Sequence, residues 1–181
     1  MKNTLKKYAI SGMISLAFVA VGCNDGAGNK PDGDNKTSLN DTDKEFVKMA
    51  AIGNNAEIEA GRLAASKATD PSVKSFAEMM VTDHTKALGE LKSVAKDEGL
   101  TLSDTLDQKH TEMKATLESL TGRAFDSAYS HGMVEGHNST IALFEDESNK
   151  GGSEKLKAFA TKTLPTLKMH KMHIDSIAPK Y

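Results

Sequence analysis

The sequence predicts an all-α protein: a four-helix bundle with an additional short helix in its middle connection. Three observations predict it. Four long segments carry apolar residues at alternating three- and four-residue spacing, the seam of a bundle helix. Capping residues bracket those segments. The chain of 181 residues has no Trp and only 5% aromatics, which suits helices better than sheets.

The first element is not part of the bundle. Lys2, Lys6 and Lys7 precede a mostly apolar run from Tyr8 to Val21, the layout of an export signal. The run is shorter than the roughly 20 residues a membrane span needs. Cys23, the only cysteine, follows Ala20, Val21 and Gly22. That arrangement looks like a bacterial lipobox, in which the thiol takes a lipid and becomes the new N-terminus. Ala20 stands where such motifs usually have Leu, so ordinary signal-peptidase cleavage remains the alternative. The expectation is a signal peptide over 1–22, a membrane partner through lipid at Cys23, and a place in the bacterial cell envelope, at the outer membrane on its periplasmic or surface face. With no second cysteine, no intramolecular disulfide can form, so the exported domain must rely on its core. Loss of the three lysines leaves a mildly acidic mature chain without a basic block, which argues against a nucleic-acid partner. Residues 23–41, rich in Gly, Asn, Asp and Lys, read as a disordered tether.

The folded domain is expected over 42–178. Thr42 and Glu45 have capping-box spacing. Phe46, Ala50, Gly53, Glu57, Ala60 and Ala64 then form the first seam, ending near Ala68. Asp70 caps the second helix and Pro71 takes its first position, where a missing N–H costs nothing. The short link forces these two helices antiparallel. The second seam is Val73, Ala77, Met80, His84, Ala87, Leu91 and Val94, and Gly99 stops it. Asp104 is the expected cap of a short polar helix ending near Leu120. Gly122 opens the third long helix, with Phe125, Tyr129, Met133, His137, Ile141 and Phe144. Gly132 and Gly136 weaken it by roughly 1 kcal/mol each relative to Ala, tolerable if they admit a neighbouring helix. Gly151 and Gly152 end it. Ser153 caps the last helix, with Leu156, Phe159, Thr163, Leu167, His170, Ile174 and Ile177 and an internal Pro165 expected to kink it. No long internal repeat is apparent. The stretch between Gly99 and Gly122 is long enough to act as a crossover, which gives a ferritin-like topology. An up-down bundle with an extra outer helix is the alternative.

Four polar residues lie on the seams. Glu57, His84, His137 and His170 each fall near the middle of a different long helix, so they should converge at one level. Three imidazoles and a carboxylate suit one zinc, copper or iron ion. They also suit a buried hydrogen-bond network, with Asp83 or Tyr129 completing it. Met80, Met133 and Met169 each precede a histidine by four residues. That spacing is compatible with copper(I), though methionine at seam spacing is usually core filling. A di-iron oxidase needs two Glu-x-x-His motifs, and the chain has none; Glu135-Gly136-His137 has the wrong spacing. Asp107-x-x-His110 sits on the polar short helix and reads as a solvated face. No nucleophile motif, phosphate loop or dinucleotide fingerprint is present, so no enzymatic activity is expected.

Several strings together carry a family resemblance: Val73-Lys74-Ser75-Phe76-Ala77 leading into Met80-Val81-x-Asp83-His84, then Phe125-Asp126-x-x-Tyr129 with His137, and Leu164-Pro165-x-Leu167-x-x-His170. They resemble the exported bacterial family called domain of unknown function 4142, often labelled an outer-membrane protein. The resemblance spans about 42–178 and implies an envelope location and a ferritin-like bundle, with no assigned activity. The matched positions are Glu57, Asp83, His84, Asp126, Tyr129, His137, Pro165 and His170. The residues themselves point to a non-enzymatic binding protein in which Glu57, His84, His137 and His170 hold a metal and Asp83, Asp126 and Tyr129 orient the imidazoles. The competing reading is a structural or interaction module of the envelope with no metal.

Overall fold

The computed structural model describes residues 39–181. The expected signal peptide, Cys23 and most of the expected tether lie outside them. Five α-helices follow in order: α1 (Asp41–Lys67), α2 (Pro71–Asp97), α3 (Gln108–Ser119), α4 (Gly122–Lys150) and α5 (Glu154–Ile177), with a 3-10 turn at Ala178–Lys180. No helix among the described residues is long and apolar enough to cross a membrane.

The caps explain the boundaries and correct two of them. α1 starts from Asn40, not Thr42: the Asn40 side chain accepts from Asp43 N–H while Asp43 accepts from Asn40 N–H, a reciprocal capping box. Leu39 already packs against the core. α3 starts from Asp107, not Asp104, with the Asp107 carboxylate accepting from His110 N–H. In both places several capping-type residues stand close together, and spacing alone does not choose among them. Asp70, Pro71 and Ser153 cap as expected. Gly99 and Gly122 adopt φ of +73° and +56°, the left-handed region that favours glycine. α5 continues unbroken through Pro165.

α1 pairs with α2 and α4 with α5 as two antiparallel hairpins, and α1 also packs on α4 and α2 on α5. Two buried aspartates fix the direction of the second hairpin. Asp126, in the first turns of α4, accepts from Thr69 and Asp70 N–H in the α1–α2 turn. Asp43, in the first turn of α1, accepts from Gly152 and Ser153 N–H in the α4–α5 turn. So α4 starts where α1 ends, and runs antiparallel to α1 and parallel to α2. The connection carrying α3 therefore crosses the length of the bundle, the ferritin-like alternative.

The same contacts expose an internal correspondence that the sequence hides. Asp43 is as far from Asp126 as Asp70 is from Ser153, Phe76 from Phe159 and Ala77 from Ala160. Each hairpin turn is bound by an aspartate from the other hairpin's first helix.

The core has two apolar clusters. One gathers Phe46, Phe144, Phe159 and Leu91 near the α4–α5 turn, with Phe46 and Phe144 edge to face at 4.9 Å between centroids. The other gathers Phe76, Phe125, Tyr129, Met80 and Ile174. The polar layer lies between them. α1 and α2 pack closely at Gly61, where an added Cβ would lie 2.9 Å from Val81 Cγ2 and 3.2 Å from Ala77 O. The glycines expected to admit a neighbouring helix, Gly132 and Gly136, have no such contact. An added Cβ there would meet only Met113 Sδ at 3.8 Å and Glu57 Oε1 at 3.5 Å.

Candidate metal centre

The helices bring four seam residues together. Glu57 on α1, His84 on α2, His137 on α4 and His170 on α5 are all buried. The three imidazoles form a compact group, with centroid separations of 5.3 Å for His84–His170, 5.6 Å for His137–His170 and 5.9 Å for His84–His137. One ring nitrogen of each lies within 4.8 Å of those of the other two.

Hydrogen bonds decide which nitrogen of each ring is left unpartnered. Asn54 donates its amide to Ala50 O at 2.7 Å, so its Oδ1 is left to accept from His84 Nδ1 at 3.0 Å. Glu57 Oε2 also lies 3.0 Å from that nitrogen. His137 Nδ1 donates to Met133 O at 2.9 Å, and His170 Nε2 donates to Asp83 Oδ2 at 2.9 Å. A carbonyl or carboxylate oxygen can only accept, so these nitrogens carry the protons. The remaining ones, His84 Nε2, His137 Nε2 and His170 Nδ1, have no hydrogen-bond partner. They are three lone pairs in an apolar interior without a donor. Phe76 closes the layer, 6.4 Å from the His137 ring and 6.5 Å from the His170 ring.

The electrostatics agree. Burial holds His84 well below the usual imidazole range, helped by His170 and His137. Burial takes His137 down to about 4. It also lowers His170, although Asp83 pulls the other way. All three are neutral near pH 7, the form that binds metal. Burial pushes Glu57 up to about 8 and Tyr129 higher than its ordinary phenol value, the latter with a contribution from Glu57.

The other expected positions divide. Asp83 orients His170. Tyr129 is buried with an unpartnered hydroxyl. Asp126 does not reach the histidines: its carboxylate binds the α1–α2 turn, including the Thr69 hydroxyl. Glu57 stands against the protonated side of His84, and its nearer approach to His137 is 3.6 Å, too long for a hydrogen bond. Asn54 was missed by sequence reasoning. It lies three residues before Glu57 on the same helix face, and that spacing is the signal that could have found it.

A second buried carboxyl pair lies near the α4–α5 turn. Burial pushes Asp43 up, but N–H groups of Ser153, Asn40 and Gly152 more than offset this and hold it below the usual range. Burial and the neighbouring Asp43 drive Glu147 up to about 8. Neither carboxyl oxygen of Glu147 has a hydrogen-bond partner, so the neutral form is the one its burial favours.

A helical bundle with three convergent neutral imidazoles is thus the class of protein that fold and site define. The family profile described as "Domain of unknown function (DUF4142)" matches residues 28–177, and the chain belongs to that family. No curated protein matches it. Among solved structures, a DUF305 fragment from Deinococcus radiodurans is similar, with a TM-score of 0.68 at 10% identity over 79% of this chain and 99% of that one. At that identity the likeness concerns the fold.

Proposed function

We propose that this protein is a cell-envelope lipoprotein, anchored through Cys23, whose bundle binds one divalent transition-metal ion on His84 Nε2, His137 Nε2 and His170 Nδ1. One observation carries the metal reading: each imidazole is held by an oxygen acceptor on one nitrogen and leaves the other with a bare lone pair, while one nitrogen of each ring lies within 4.8 Å of those of the other two. A ligating histidine almost always has such an outer partner. In a tetrahedral zinc site the nitrogens stand about 3.4 Å apart, so the rings would draw in slightly on binding. A cavity of about 20 Å³ touching His84 and His170 leaves space beside the rings. Zinc, copper(II) and iron all suit imidazole nitrogen. Glu57 and Asn54 would act on the ion through His84, and Asp83 through His170.

The alternative is a structural module of the envelope. The His84–Glu57 and His170–Asp83 contacts suit it as parts of a buried polar network. Elemental analysis of protein purified without tag or chelator, beside the His84→Ala/His137→Ala double variant, separates the two. About one zinc, copper or iron per chain, lost in the variant, supports the metal centre. No metal in either, even after reconstitution, leaves the structural module.

A further inference from the structure

Between α1, α3 and α4 lies a pocket of about 420 Å³, within the range of about 300–1,000 Å³ usual for small-molecule sites. Glycines thin its walls. An added Cβ at Gly53 would meet nothing within 4 Å. Gly132 and Gly136, also in the wall, are similarly uncrowded. Met49, Met113 and Met133 supply much of the apolar lining, and thioether side chains adapt to irregular apolar guests. The rim charges are committed to each other. His110 Nδ1 lies 2.6 Å from Asp107, and Lys109 Nζ lies 3.2 Å from Glu135.

Glu57 is different. It lines the pocket with 5% of its surface exposed, and its Oε1 has no hydrogen-bond partner. That oxygen packs beside Gly136, itself part of the wall. A buried polar atom left unpaired is costly, and a ligand donating an N–H would recover that cost.

We propose that this pocket binds a small apolar amine, with its alkyl or aryl body against the methionines and its N–H head on Glu57 Oε1. An anion would face Glu57, Asp107 and Glu135, and the one lysine is already on Glu135. A purely apolar guest would leave Oε1 unpaired. As a carboxylate oxygen Oε1 accepts from the amine N–H, and an ammonium group beside it favours that ionised form. None of His84, His137 and His170 lines the pocket, and Glu57, whose Oε2 lies 3.0 Å from His84 Nδ1, is the one residue shared with the three-histidine centre.

The test is titration of the full chain with phenethylamine at pH 7, followed by calorimetry and amide chemical shifts. The isosteric anion 3-phenylpropionate is titrated in parallel. We expect saturable binding of the amine, and binding of the anion at least about tenfold weaker. Gly53→Phe fills the pocket from a position with open space and should weaken the amine at least about tenfold. Gly132→Leu fills it from the opposite wall if Gly53→Phe does not fold. Gly53→Ala should bind as the parent does. Parent protein titrated in chelator, with no metal present, should bind the amine equally well, so the metal reading can fail without touching this result. Absence of saturable amine binding, equal affinity for the anion, or parent-like binding by a folded pocket-filling variant overturns the proposal.

Discussion

Replacing His137 with leucine should cost little in the metal-free protein and remove the response to metal. His137 is fully buried, and its one hydrogen bond runs from Nδ1 to Met133 O, a carbonyl four residues back on its own helix. Such a carbonyl also accepts the backbone N–H of residue 137, so the substitution leaves no orphan there. The bond lost is worth about 1 kcal/mol. The gain is relief of a buried, unpaired Nε2, at about 1–3 kcal/mol. The metal-free variant should therefore be as stable as the parent or slightly more so. The parent, at a zinc concentration one hundred times the Kd, should gain about 2.7 kcal/mol. For a domain of this size that raises Tm by about 8 °C, and the variant should gain nothing. Thermal melts by circular dichroism, with chelator and then with zinc or cobalt, measure both quantities. A variant that still rises with metal, or a metal-free variant weakened by more than about 3 kcal/mol, would refute the reasoning. The first result would place the ion elsewhere. The second would make the imidazole a structural donor.

Stability in chelator should peak in mildly acidic solution. The three histidines have folded pKa values below 6.5. Their contribution is full above pH 6.5 and is lost as pH falls through the lowered values, to about 4 for His137. Glu57 and Glu147, raised from 4.5 to about 8, contribute fully below pH 4.5 and lose that contribution as pH rises through 8. Urea midpoints that climb steadily from pH 5 to pH 9 would contradict this. Asp126→Ala should destabilise by about 2–4 kcal/mol, because it strips the acceptor from Thr69 and Asp70 N–H; metal stoichiometry measured on the same sample should not change. Gly53→Ala should stabilise by up to about 1 kcal/mol through helix propensity. Gly61→Ala should destabilise despite the same gain, because its Cβ meets Val81 and Ala77 O. Equal denaturant midpoints for the two variants would count against the close approach of α1 and α2.

Much of the bundle was legible in the sequence because its signals are local. A seam of Phe46, Ala50, Ala60 and Ala64 needs only the 3.6-residue period to be read, and Asp70-Pro71, Gly99 and Ser153 act within one turn of their own positions. The convergence of Glu57, His84, His137 and His170 was legible for a related reason: midpoints of helices of similar length meet at one level whichever way each runs.

What each of those side chains does at that level was not local. Whether Glu57 faces the shared volume or the far side of His84 depends on the rotation of α1 against α2, which close packing at Gly61 helps set. The role of Asp126 depends on the α1–α2 turn, far away in sequence and adjacent only after folding. Gly132 and Gly136 could mark a tight helix contact or a pocket wall, and only the position of α3 makes them the latter. The sequence by itself determined the helices, their seams and the presence of a polar layer, because helical periodicity and capping are properties of neighbouring residues. Tertiary structure alone decided the crossover, the unpartnered nitrogens and the pocket beside Glu57, because each is fixed by contacts between segments whose spacing along the chain carries no record of their spacing in the fold.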